Sequence, residues 1–200
     1  MCSHKKDLIT FILSIACVLA ASSNAGAQGF ALKSDMLNDA AGSLNFGVEQ
    51  AMSRHQTAEI VGYLNPWTYG NDAFWKHAYV QPAWRWWFCD VYSGHFVGFH
   101  LHGGIFNVGN IDTDFKFLGN DFSVLRDSRA QGWFAGAGVS YGYDYILNRN
   151  WNLEFEIGIG YAYSLYDRYE CEVCGTILEE NIGHHYFGPT KAAITLVYLF

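Results

Sequence analysis

The chain has 200 residues, of which 50% are hydrophobic, 18% aromatic and only 16% charged. A soluble domain carries about 25% charged residues, so this composition excludes a disordered chain and leaves a shortage of charge to be explained. Twelve basic residues against 19 acidic ones, a net charge of -7 at pH 7, provide no electrostatic footprint for nucleic acid.

At the N-terminus Lys5 and Lys6 precede the apolar run Leu8–Ala21, and small and polar residues follow it to Ala25-Gly26-Ala27. A positive segment, an apolar core and an A-x-A-like site are the parts of a secretory signal peptide, which predicts cleavage near Ala27 and a single domain over 28–200. A lipoprotein signal competes because Cys17 follows Ser14-Ile15-Ala16, but Val18-Leu19-Ala20 carry the apolar core past that cysteine. Cys2 and Cys17 leave with the segment. The cysteines that remain, Cys89, Cys171 and Cys174, are odd in number, which argues against a disulfide framework.

Beyond this segment the hydrophobic pattern has a period of two. Three weaker strands are expected at about Phe30–Asn38, Leu44–Met52 and Thr57–Pro66. In Tyr79–Phe88, Val80, Trp84, Trp86 and Phe88 share one face, and Gln81, Arg85 and Trp87 share the other. His95–Gly109 sets Val97, Phe99, Leu101 and Ile105 opposite Gly98, His100, His102 and Gly104. Gln131–Leu147 alternates Trp133, Val139, Tyr141, Tyr143 and Tyr145 with Phe134, Gly136, Gly138, Ser140 and Asp144. From Trp151 to Leu165 every odd position is apolar or aromatic, while the even ones are small or polar, Glu154 and Glu156 included. The last strand carries Ile194, Leu196, Tyr198 and Phe200 on one face. Alternation sustained in this way makes strands and not helices, so an all-β chain of eight antiparallel strands in meander order is expected.

The chemistry of the two faces decides their orientation. A soluble barrel would be apolar inside, whereas here the continuous bulky apolar face is the one a lipid exterior requires and the small, charged face suits a narrow lumen. The strands also exceed the five or six residues usual in globular domains and reach the 9–11 needed to cross a bilayer. Short links are expected at Ser53–Gln56, Asp90–Gly94 and Asn148–Asn150. The other end has longer ones at Trp67–His77, Val108–Ala130 and Tyr169–His185, with a tighter link at Asp39–Ser43. This asymmetry is the outer-membrane pattern. The expectation is therefore an eight-stranded antiparallel transmembrane β-barrel in outer-membrane lipid, with extracellular loops. Interface aromatics form two belts, Trp67, Trp133 and Tyr163 at the loop end and Trp84, Trp86, Tyr143, Tyr145, Trp151, Tyr198 and Phe200 at the turn end. The alternate residues Leu196, Tyr198 and terminal Phe200 resemble the signal that outer-membrane assembly machinery reads from a last strand.

The same parity turns Lys33, Asp35, Glu49, Glu59, Arg85, His100, His102, Asp144, Glu154, Glu156 and Lys191 inward. An eight-stranded interior is just wide enough to be filled by side chains, so a charge-paired plug is expected, with Arg85 and Lys191 neutralising Glu154, Glu156 or their neighbours. His100 and His102, or a Glu154–Glu156 dyad, would be the catalytic alternatives, but no serine accompanies the histidines at the lipid interface. No catalytic residue and no cofactor are expected. In the outer loops Cys171-x-x-Cys174 fits a local disulfide, free thiols or, with His184 and His185, a metal site. The acids of Asp167–Glu180 read as a solvated loop, with divalent-cation binding as the sharper alternative. In Val108–Ala130, Phe115, Phe117 and Phe122 are expected to pack that loop over the mouth.

Leu64-Asn65-Pro66-Trp67, Trp75-Lys76-His77, Arg85-Trp86-Trp87-Phe88, Trp151-Asn152-Leu153-Glu154, Cys171-x-x-Cys174-Gly175 and Tyr186-Phe187-Gly188-Pro189-Thr190-Lys191 follow one another in order along the chain. Together they resemble a family of outer-membrane barrels from anaerobic Gram-negative bacteria, catalogued as domain of unknown function 3575. Members of that family often have an acid where this chain has Ala83. The resemblance implies a surface role related to fimbriae, because the family's genes often lie near those of fimbrial subunits, and it brings no catalytic residue. A non-enzymatic surface barrel for adhesion, fimbrial assembly or envelope contacts is expected, ahead of a lipid-modifying enzyme or a narrow channel.

Overall fold

The computed structural model describes residues 29–69, 73–109, 116–117, 120–121, 128–170 and 176–200. The expected signal segment, Cys171, Cys174, Phe115 and Phe122 lie outside the described residues. In chain order the elements are β1 (Phe30–Asp35), the helix α1 (Met36–Ala40), β2 (Leu44–Ser53), β3 (Gln56–Asn65), the short β4 (Thr68–Tyr69), β5 (Ala73–Trp87) and β6 (Gly94–Gly109). They continue with the short β7 (Lys116–Phe117) and β8 (Asn120–Asp121), then β9 (Ser128–Ile146), β10 (Trp151–Glu170) and β11 (Ile177–Leu199).

Eight of these strands, β1, β2, β3, β5, β6, β9, β10 and β11, pair antiparallel with their sequence neighbours, and β11 returns to pair with β1. The result is a closed ring. The closing register runs from Ala31 opposite Leu199 to Asp35 opposite Thr195. Closure gives both sides of each strand a partner along the paired length, which disposes of the free edges that an open sheet exposes.

The two faces of the ring are chemically opposite. Along β10, Phe155, Ile157, Ile159 and Tyr161 are exposed outside, while Asn152, Glu154 and Glu156 are buried inside. The buried apolar cluster is small, Ala31, Trp87, Tyr92, Phe96, Val197 and Leu199, and it occupies the end of the ring with the short turns.

The structure corrects two boundaries. The first strand, expected through Asn38, stops at Asp35, because the Asp35 carboxylate accepts the backbone N–H of Leu37 and caps α1. Much of the expected long links Trp67–His77 and Tyr169–His185 is strand. β5 already starts at Ala73, and β10 and β11 pair as far as Tyr169 opposite Ile177. Backbone hydrogen bonding extends a ladder without apolar alternation to announce it. The acids Glu170, Glu179 and Glu180 therefore sit on strands, and Arg168 meets Glu179 at 3.2 Å.

Candidate functional site

Parity stacks the polar side chains into the interior of the ring. Lys33 on β1 donates to Glu49 on β2 at 2.8 Å, to Glu59 on β3 at 2.7 Å and to Glu154 on β10 at 2.7 Å. Arg85 on β5 meets Glu49 at 3.0 Å, Glu59 at 2.8 Å, Glu154 at 2.9 Å and Glu156 at 2.5 Å. Lys191 on β11 reaches Glu59 at 3.1 Å and Glu156 at 3.0 Å. Three cations thus share four carboxylates, and all seven residues are buried. Burying charge this far from water is tolerable only where each ion is met by opposite charge and hydrogen bonds. The space left between Lys33, Glu59, Arg85, Lys191 and Thr195 is about 10 Å³, no more than one water needs.

Arg85 and Lys191, expected to neutralise Glu154, Glu156 or their neighbours, meet Glu156 and its neighbours, and Lys33 is a third cation, in contact with three of the four carboxylates. Glu154 and Glu156 are both bound by the Arg85 guanidinium, which gives the pair a structural partner. The other inward residues stand apart from this network. Asp35 accepts from Leu37 N–H and from Asn38 Nδ2, and Asp144 accepts from Asn152 Nδ2 at 2.6 Å. His100 Nε2 is 2.9 Å from the Thr190 hydroxyl, and its ring lies 5.7 Å from that of His102. The imidazoles lie against glycines because a side chain would not fit there. A Cβ on Gly138 would stand 2.6 Å from His100 Nε2, and one on Gly136 would stand 2.4 Å from His102 Nε2.

Below the network the turn-end cluster closes the interior. Thr57 donates to Glu49 and accepts from Trp87 Nε1 at 3.0 Å, and the Arg85 guanidinium lies 4.6 Å from the centroid of the Phe96 ring. Tyr92, in the turn between β5 and β6, adopts a φ of 60° and buries its ring against Trp87. Its hydroxyl donates to the Glu49 carbonyl at 3.2 Å, and Asn152 Nδ2 donates to the Tyr92 carbonyl at 2.9 Å. Sequence reading missed Tyr92 because it belongs to no alternating strand. A lone aromatic in a tight turn was the only signal available.

Outside the ring the aromatic residues face away from the charges. At the turn end Trp84, Trp86, Tyr143, Tyr145, Trp151 and Phe200 are exposed, with Tyr198 between Trp151 and Phe200 at 4.9 Å from each. At the loop end Trp133 packs edge-on against Tyr163 at 6.0 Å, and Trp67 Nε1 donates to the Gly42 carbonyl. His184 pairs with Ser164 and His185 with Tyr163 on successive positions of β11, so strand alternation turns the two imidazoles to opposite faces. The other two ligands of the expected metal site, Cys171 and Cys174, lie outside the described residues. His185 meets the Tyr161 hydroxyl at 2.5 Å.

On the turns, Arg54 Nε donates to Asp90 at 2.6 Å with both side chains in water. That hydrogen bond, and then the guanidinium charge, hold the Asp90 carboxyl below the usual aspartate range. His55 Nδ1 lies 2.5 Å from the Cys89 carbonyl, and the Cys89 thiol is exposed and free.

With this geometry in view, one family model matches the chain over residues 11–200, described as a protein of unknown function (DUF3575). The chain belongs to that family. No curated protein and no solved structure matches it. In this DUF3575 chain the two faces of the ring carry opposite chemistry, apolar outside and charged inside.

Proposed function

We propose that this chain is an integral outer-membrane β-barrel, exported by a signal peptide over 1–27, with a plugged lumen and a non-enzymatic structural or accessory role at the cell surface. One observation carries the reading, the inversion of the two faces. Ile157, Ile105, Val139 and Ile159 are more than half exposed, while Lys33, Glu49, Arg85 and Glu154 are almost wholly enclosed. In water this arrangement would leave apolar surface wet and bury charge, and both are unfavourable. In a bilayer the outer face finds lipid, and closure of the ring satisfies the backbone.

The dimensions agree. Trp151 and Tyr163, outward aromatics of β10, are twelve residues apart. At about 3.3 Å per residue and a tilt of about 40° they stand roughly 30 Å apart along the axis, close to the hydrocarbon thickness. Outer-membrane lipid is then the principal partner. The last strand β11, with Leu196 and Tyr198 ahead of Phe200, supplies the signal for assembly machinery, and the long β10–β11 hairpin offers a surface for fimbrial or other envelope proteins.

The plug and the absence of catalysis rest on the interior. The residual space in the ion network is about 10 Å³, and His100 is engaged by Thr190. Fractionation with the outer membrane, together with a mobility shift on heating before electrophoresis, tests the barrel. Recovery as a soluble periplasmic protein would remove it. Steady conductance in planar bilayers would count for the channel, and altered lipid acylation in cells on His100→Gln with His102→Gln would count for the enzyme.

A further inference from the structure

We infer that the interior of the ring on the α1 side of the ion network binds a neutral pyranose sugar. The cavity there has a volume of about 190 Å³ and is lined by Asp35, Asn38, Tyr63, Tyr79, Gln81, Thr190 and Lys191, among others. It sits beyond the charges because Tyr63 follows Glu59 on the inward face of β3, and Gln81 and Tyr79 lie beyond Arg85 on that of β5. Its floor is Lys191, whose ammonium is already shared between Glu59 and Glu156.

The lining has the composition of a site for a small, ring-shaped polyol. The Tyr63 and Tyr79 rings stack at 4.4 Å with an interplanar angle of 10°, and Phe134 lies 5.8 Å from Tyr79. Against this aromatic wall stand a few polar groups, the usual division of labour in a small-molecule pocket. Gln81 is 3% exposed and Tyr63 6%. Among the described residues neither of their side chains, nor the Tyr79 hydroxyl, has a hydrogen-bond partner in the protein. The polar atoms of these side chains open on the cavity, where water or a ligand can take their hydrogen bonds.

Size and charge narrow the class. The volume equals about six waters at ~30 Å³ each, the scale of one hexose and below the 300–1,000 Å³ of a drug-sized pocket. Four carboxylates against three cations, with Asp35 also in the lining, disfavour an anion, and the cations of the floor are already taken up by those carboxylates. A neutral ring with several hydroxyls supplies donors to the Gln81 oxygen and acceptors to its amide and to the phenols. The inference goes beyond the surface role proposed above and needs only the interior of the ring, whatever surrounds it.

A free hexose and the terminal sugar of a surface glycan share this chemistry. The test is saturation-transfer NMR on the full chain purified in detergent micelles, with D-glucose, D-galactose and lactose as probes and inorganic phosphate and ethanolamine as charged controls. Saturable binding of at least one hexose is expected, and Gln81→Leu and Tyr63→Phe should each weaken it about tenfold, the loss of one buried hydrogen bond. Because neither side chain is bonded within the protein, the unfolding midpoints of both variants should hold, which separates lost binding from lost folding. Lactose binding as well as galactose indicates a terminal glycan sugar, and binding of the monosaccharides alone indicates a free one. No saturable sugar signal, preference for either charged control, or variants that bind like the parent would each overturn the inference.

Discussion

Ile157→Lys separates a lipid-facing wall from a wet one. Ile157 is 69% exposed and lies on β10 midway between Trp151 and Tyr163, six residues from each. At about 3.3 Å per residue and a tilt near 40°, it sits roughly 15 Å from either aromatic, at the midplane of the proposed membrane span. A lysine at that depth of a barrel costs about 2–4 kcal/mol, against about 0–1 kcal/mol near the interface. The unfolding equilibrium constant should therefore rise about 30- to 700-fold. The control is Ile177→Lys, also an exposed isoleucine on a strand, at the far end of β11 beyond the belt. It cancels the lower β-propensity of lysine, a difference of up to about 1 kcal/mol. Reversible urea unfolding from phosphatidylcholine vesicles, followed by tryptophan fluorescence, provides both free energies. In a water-facing wall both changes should cost the same, up to about 1 kcal/mol. Equal costs at the two positions would refute the membrane reading.

Arg85→Met should destabilise the fold by about 3–5 kcal/mol, because it leaves four buried carboxylates with two cations. Adding Glu154→Gln and Glu156→Gln should recover more than half of that loss in the same unfolding assay, and no recovery would show that packing rather than charge holds the site. Gly142→Ala should cost about 1–3 kcal/mol by overpacking, since its Cβ would lie 2.2 Å from the Phe96 ring, whereas Gly62→Ala, with its nearest neighbour 4.0 Å away, should be close to neutral. At the turns, Arg54 lowers the pKa of Asp90 in the folded state. The pair's contribution is therefore present above the unfolded value near 3.9 and is lost as pH falls through the lowered folded one. Carboxyl titration by NMR should show Asp90 returning to the ordinary aspartate range in Arg54→Gln, and an unchanged titration midpoint would dismiss the interaction.

A period of two is legible in the chain before any fold is known. Side-chain direction in a strand is a local property, so Trp151 through Leu165 assign themselves to two faces without reference to any neighbour. The observed ring contains eight antiparallel strands in chain order, and the expected short links coincide with the turns after β2, β5 and β9. Alternation was silent where backbone pairing alone extends the ladder, so the upper parts of β5, β10 and β11 read as loops. It was equally silent at α1, where one capping carboxylate decides the conformation.

Which inward residues meet depends on how the strands assemble into the ring. Lys33 and Glu154 are separated by 121 positions and come within 2.7 Å because β1 and β10 both pair with β11 in a ring only eight strands around. Register sets the height of each charge, and no local pattern records it. The same closure brings Tyr63, Tyr79 and Gln81 to one cavity and leaves Asp35, Asp144, His100 and His102 outside the ion network. Parity along one strand says which way a side chain points. Its partners depend on how far each neighbouring strand has slid before its backbone hydrogen bonds form.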